Sequence, residues 1–293
     1  MIRYLVTLEE LRARIEAEAP GWLEDAASRT ERFRQAGRYD ETSSNWSRIK
    51  KVYMRLQHNK CAYCERLLAS EDFGGAIEHD VEHHRPKNSV PKWPSEAMAR
   101  DRNIFYDFAT GDELPDGYYL LAYHVFNYVT SCKKCNSPLK ANYFPIAGGR
   151  RLQGDDPASL RDEKPFLLYP LGDLDEDPEE VLTFSGILPV PKDRMGLRGR
   201  RARVTIDFFE LDQREELWRE RAEKIVALYL ALEVRRGNDE WDRKIALRAI
   251  EGLLSPASAH TNCVRAFQRL YIENRNQAAE IAQAAQDYLD SQS

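Results

Sequence analysis

The sequence is poor in long apolar runs. Nowhere in its 293 residues is there a stretch close to the ~18 uninterrupted apolar residues that a membrane helix requires, so no membrane span is expected. The opening stretch, MIRYLVTLEELRARIEAEAP, lacks the longer apolar core and small-residue cleavage site of a secretory signal. A cytoplasmic protein is therefore the expectation. Internal repeats and low-complexity tracts are missing too, which argues against a repeat array or a biased tail. Cysteine is sparse: five residues, of which Cys61, Cys64, Cys132 and Cys135 form two C-x-x-C pairs. Without a secretion signal, such pairs read as metal ligands and not as a disulfide framework. The fifth, Cys263, stands in a helical pattern and reads as a small buried hydrophobe.

Acidic residues are absent from one long interval. None stands between Asp116 and Asp155, whereas Lys133, Lys134, Lys140, Arg150 and Arg151 all do. A second basic run, GLRGRRAR, carries Arg198, Arg200, Arg201 and Arg203, and the acidic stretch DLDEDPEE at 173–180 separates the two. A net charge of −5 excludes a generally polyanion-seeking protein. Local basic patches can still hold phosphates, although a solvated face is the plainer reading of either run alone.

The remaining composition is ordinary for a globular chain, with 42% hydrophobic and 31% charged residues. A chain of this length can bury roughly three quarters of its unfolded surface. Helical signals come first. Thr7 with Glu10 forms a capping box ahead of LRARIEA, a second helix is expected over 21–36, and Trp46, Ile49, Val52, Tyr53 and Leu56 recur at helical spacing over 43–57. The middle, 58–150, is broken by glycines and prolines and holds both cysteine pairs. The stretch 151–206 reads as a loop-rich linker with strand candidates PFLLYP and GILPVP. From 207 to 293 helices return, the first with Asp212 as its expected cap. Leu217, Ile225, Leu228 and Leu232 make an apolar stripe there, which either later helices or a partner must cover. The expected fold class is α+β: a small metal-bound core between N-terminal (1–57) and C-terminal helices.

Two C-x-x-C pairs supply four thiolates, each pair spanning one edge of a tetrahedron around Zn²⁺. A four-thiolate site is closed, so this zinc is expected to be structural, clamping both ends of the intervening segment. Inside that segment stands IEHDVEHHRPKN (77–88), and beyond it YHVFNYVTSCKKCNSPLKANYFP (123–145). Phosphodiester hydrolysis needs a metal on the scissile phosphate and a base for the attacking water. Glu82 and Asn136 are hard oxygen ligands suited to Mg²⁺ or Mn²⁺, and His83 can take a proton near neutral pH.

The order C-x-x-C, E-H-x-x-P-K, N-x-x-x-x-C-x-x-C-N-x-x-x-K and F-P resembles the HNH (ββα-metal) endonucleases, over residues 58–146. It is most similar to the branch found in retron-linked and Septu-type antiphage systems, with weaker likeness at 117–123 and 175–186. The resemblance implies a ββα-metal core on a zinc knuckle, with His83 as general base and Glu82 and Asn136 as metal ligands. It implies that Asn127 braces the histidine-bearing loop and that Lys140 and Lys87 meet phosphates, with Lys133 and Lys134 facing the nucleic acid. It further implies DNA cleavage beside an ATPase partner. An RNA or tRNA nuclease, or a zinc-stabilised nucleic-acid-binding module without activity, stays open. Glu78–His79 repeats the acid–histidine pair and His84 adjoins His83, but Pro86 and Lys87 favour the register Glu82–His83. His58, His124 and His260 carry no supporting context and read as structural. Trp93, Tyr118, Tyr119 and Tyr123 read as core.

Overall fold

A computed structural model of the protein describes residues 1–151 and 154–292. Leu152, Gln153 and Ser293, which fall within the expected stretches 151–206 and 207–293, lie outside the described residues. The fold is mixed α+β, mostly helical with two small sheets. It divides into two compact units: residues 3–62 with 68–177, and residues 1–2, 63–67 and everything from 178 onward. The first unit thus takes in the N-terminal helices and most of the middle, with Cys61, Cys132 and Cys135, while Cys64 falls in the second.

In the first unit the capping box forms as the sequence indicates. The Thr7 hydroxyl accepts from the Glu10 amide at 3.1 Å and the Glu10 carboxylate from the Thr7 amide at 2.8 Å. They start α1 (Leu8–Glu18), which buries Leu11 and Ile15. Helix α2 (Trp22–Ala36) ends at Gly37, whose φ of 69° places its N–H on the Phe33 carbonyl. The chain then crosses 38–45 without helix and resumes in a 3₁₀ turn, Trp46–Ile49, continuous with α3 (Lys50–Leu56). The helix expected over 43–57 therefore starts at Trp46. Two antiparallel strands follow, β1 (His79–His83) and β2 (Tyr128–Cys132), with His79 opposite Cys132 and His83 opposite Tyr128. A short π-helical turn, Cys135–Lys140, follows β2. Trp93, Tyr118, Tyr119 and Tyr123 are buried in this unit, as core residues should be. The candidate strand PFLLYP (165–170) forms no ladder among the described residues: Pro165 makes a single bridge to Ile146, and Leu171, just beyond it, one to Tyr4. Pro165 and Pro170 lack the N–H that a ladder needs.

In the second unit β3 (Leu182–Ser185) and β4 (Leu188–Pro191) form a hairpin around Gly186, whose φ is 58°. Helices α4 (Gly196–Phe208), α5 (Glu215–Arg235), α6 (Glu240–Leu254), α7 (Thr261–Glu273) and α8 (Arg275–Ser291) complete it. Asp212 does not cap α5, which begins at Glu215 with Arg214 at the cap position. The Asp212 carboxylate lies instead 3.4 Å from the Arg203 guanidinium. The apolar stripe of α5 is covered from within the chain. Ile225, Leu228 and Leu232 pack with Ile250, Phe267, Ala278 and Ala282 of the following helices. Cys263 is wholly buried in the same core.

Candidate active site

The four paired cysteines are buried, and their sulfurs lie within 4.8 Å of one another. That spacing suits a tetrahedral thiolate site, where Zn–S bonds of about 2.3 Å put sulfurs roughly 4 Å apart. The cluster could hold a metal such as zinc. The first pair is presented by a turn with left-handed backbone at His58 (φ 52°) and Asn59 (φ 56°). Gln57 ties that turn to β2. Its Nε2 donates to the Lys60 carbonyl at 2.9 Å and the Thr130 carbonyl at 2.8 Å, and its Oε1 accepts from the Thr130 amide at 2.8 Å. Since β2 ends at Cys132 and pairs with β1, Cys132 and the acid–histidine strand share one backbone frame.

Asn127 stands immediately before β2 and is almost wholly buried, at 1% exposure. Its Oδ1 accepts from the Arg85 amide at 2.8 Å, and its Nδ2 donates to the carbonyls of Arg85 at 2.9 Å and Leu121 at 3.0 Å. Its own carbonyl accepts from the His84 amide at 2.8 Å. One side chain thus fastens the segment leaving β1 to the turn entering β2. Within that frame the His83 ring is held at Nε2, 3.0 Å from the Ala122 carbonyl. A carbonyl can only accept, so Nε2 carries the proton and Nδ1 keeps its lone pair. Burial, with help from nearby Lys87, drives the imidazole pKa well below its usual range, so the ring is neutral at pH 7.

Glu82 is buried beside Lys140, with 3.2 Å between carboxylate and ammonium. Burial raises the Glu82 pKa to about 7, although Lys140 and Lys87 pull the other way. Lys140 is fully buried and also lies 3.4 Å from the His83 carbonyl. The expected phosphate contact is not what its position provides: its ammonium is held inside against Glu82. Lys87 sits over aromatic faces, with Nζ 4.7 Å from the Trp46 ring centre and 5.4 Å from that of Tyr39. Asn136 lies on the turn after β2, and its Nδ2 donates to Asp80 at 3.0 Å. Lys133 pairs with the same Asp80 carboxylate from an exposed position, and Lys134 is exposed.

Glu78 and His79 form no second site. The Glu78 carboxylate accepts from the Ala69 amide at 2.7 Å, and His79 is buried with Nε2 3.2 Å from the Ala69 carbonyl. His84 packs its ring against Phe144 and Tyr169, at 5.2 and 4.9 Å between centres.

Asp80 belongs to none of the motifs in the sequence, yet it pairs with Asn136 and Lys133. Alternate residues of a strand share a face, so its place two residues before Glu82 was a usable signal. Asp80, Glu82 and Asn136 offer hard oxygen donors of the kind Mg²⁺ and Mn²⁺ prefer. Trp46 was read only as part of a helical stripe, yet its ring meets the His83 ring edge-on at 4.8 Å between centres. No local pattern announces that contact.

No family model matches the chain, and no solved structure matches it with significance. Among curated proteins, a distant homologue is the Septu protein PtuB of Bacillus mycoides (strain KBAB4). The two are 27% identical over 169 residues, which cover 58% of this chain and 49% of that protein. The match thus spans about half the length of the curated relative.

Proposed function

We propose that the chain is a metal-dependent endonuclease of the HNH type, hydrolysing phosphodiester bonds of DNA in antiphage defence. The defence role follows the likeness to Septu protein PtuB. The chemistry rests on one observation above others: Asn127 clamps both sides of the loop at Arg85, while the Ala122 carbonyl fixes the His83 tautomer. Beside that fixed tautomer stands the Glu82 carboxylate, whose pKa burial raises to about 7, a pairing that supports an acid–base site.

Glu82 and Asn136, joined by Asp80, would hold a divalent ion, which would polarise the phosphate and offset charge on the departing oxygen. His83 Nδ1 takes the proton from the attacking water, and the Ala122 carbonyl keeps the other nitrogen protonated throughout. Asn127 keeps that ring where a water can meet it. Lys140 holds the Glu82 carboxylate in place. A four-thiolate zinc would pin β2 and the turn carrying Asn136. As the resemblance implies, an ATPase partner would act with the chain in the cell.

The test is incubation of the full chain with a plasmid and with a tRNA pool, each with Mg²⁺ or Mn²⁺. DNA cleavage supports the proposal. Cleavage of tRNA alone would move the substrate to RNA, and binding without cleavage would leave a zinc-stabilised binding module.

A further inference from the structure

Of the residues proposed to act on a phosphodiester, Asp80 and Asn136 are half-buried, whereas Glu82 is 6% exposed and His83 7%. A polynucleotide is a thick, highly hydrated strand, and its phosphate cannot reach Nδ1 of His83 or the Glu82 carboxylate through a closed surface. The cover over His83 comes from the non-helical stretch 38–45 and the turn that follows it. Trp46 meets the His83 ring edge-on, and Lys87 is held beneath Trp46 and Tyr39. Both aromatic residues are only half-buried, so the cover is one layer thick.

This stretch has little regular structure of its own between Gly37 and Trp46 and is held at a few points. The main one is Glu41, whose side chain is 3% exposed. Its carboxylate accepts from Arg29, from Arg32 at 2.9 Å, from the Tyr123 hydroxyl, and from the Tyr39 hydroxyl at 3.3 Å. A second fastening lies at Asn45. Its carbonyl accepts from the Trp22 indole N–H at 3.1 Å, and its side-chain amide donates to Asp25. Arg29 Nη1 also donates to the Ser43 carbonyl at 3.1 Å. Both anchoring arginines come from α2, so the strap is fastened to a rigid helix and lies across the site.

We infer that residues 38–46 are an autoinhibitory strap, which closes the Glu82–His83 site and must lift, breaking the Glu41 anchor, before a nucleic-acid phosphate can enter. The substrate named here rests on the proposed function, but the closure itself does not. Lifting exchanges the buried contacts of one carboxylate for water, while α2 and the β1–β2 frame stay in place. Anything that competes for Arg29 and Arg32, such as a phosphate backbone, favours the open form.

The experiment compares wild type with Glu41→Ala in the full chain, reading two quantities. The first is the rate at which diethyl pyrocarbonate modifies His83, followed by peptide mass spectrometry, which needs no cleavage activity. The second is Mg²⁺-dependent cleavage of plasmid. Losing a buried, charge-assisted anchor typically shifts such an equilibrium by roughly ten- to a hundredfold. Both rates should therefore rise by at least tenfold. Faster His83 modification without cleavage in either protein would keep the strap and sink the nuclease reading. Equal His83 modification in both proteins, with circular dichroism unchanged, would overturn the strap. Should Glu41→Ala unfold, Trp46→Ala removes the cover without touching the anchor, and unchanged His83 modification there would overturn it equally.

Discussion

Replacing Asn127 by alanine probes the frame on which everything else depends. The side chain makes three hydrogen bonds, to the Arg85 amide at 2.8 Å, the Arg85 carbonyl at 2.9 Å and the Leu121 carbonyl at 3.0 Å. The residue itself is 1% exposed and Arg85 is 4% exposed, so no water replaces these bonds cheaply. The amide of Arg85 becomes a buried orphan donor at about 1–3 kcal/mol, and each carbonyl loses roughly 1 kcal/mol, for a total near 3–5 kcal/mol. In a domain of this size that lowers the melting temperature by roughly 10 °C. Asn127→Asp should fare no better, because it sets a carboxylate against two carbonyl oxygens. The assay is thermal unfolding followed by circular dichroism, with zinc content measured alongside. A melting temperature within about 2 °C of wild type for Asn127→Ala, a shift worth under about 1 kcal/mol, would refute the clamp.

Cys132→Ser removes one of four clustered thiolates. Elemental analysis should show about one zinc per wild-type chain and a loss in the variant, with a steep fall in stability, since structural zinc supplies roughly 10–16 kcal/mol in small zinc domains. A well-folded wild-type sample free of zinc would contradict this. The proposed ion at Glu82 should bind in a pH-dependent way. The Glu82 pKa is raised to about 7 by burial, so below that pH a proton occupies the carboxylate that the ion requires. Mn²⁺ affinity measured by calorimetry should fall roughly tenfold per pH unit below 7 and level off above it, and Glu82→Gln should flatten the profile. In the second unit, Leu228 is fully buried among its own helices. Leu228→Ala should cost about 2–5 kcal/mol in denaturant unfolding, and a loss under about 1 kcal/mol would mean that the α5 face needs another cover.

The parts legible in the sequence were those with local chemistry. The Thr7–Glu10 box and the C-x-x-C pairs are each defined by residues a few positions apart, and each stands where its pattern put it. Lys140 shows the opposite case. Its place in the motif was plain, but whether an ammonium points outward or into the protein depends on packing around Phe144 and Glu82, which spacing does not encode. Asp80 was within reach through the two-residue period of a strand, but the neighbouring Glu82–His83 pair drew the reading past it. The strap was out of reach, since Glu41, Arg29, Arg32 and Tyr123 meet only through tertiary folding. On α5 the stripe was visible while its cover was not, because helix–helix partners are chosen by shape as well as by apolar periodicity.

The most direct test of the central claim is plasmid cleavage with Mn²⁺ by wild type and by His83→Ala, at matched zinc content and melting temperature. Wild type should cut, and the variant should lose on the order of 10²–10⁴ in rate, the usual effect of removing a positioned general base. If His83→Ala cuts as fast as wild type while His79→Ala or His84→Ala does not, the assignment of Glu82–His83 as the reacting pair is wrong.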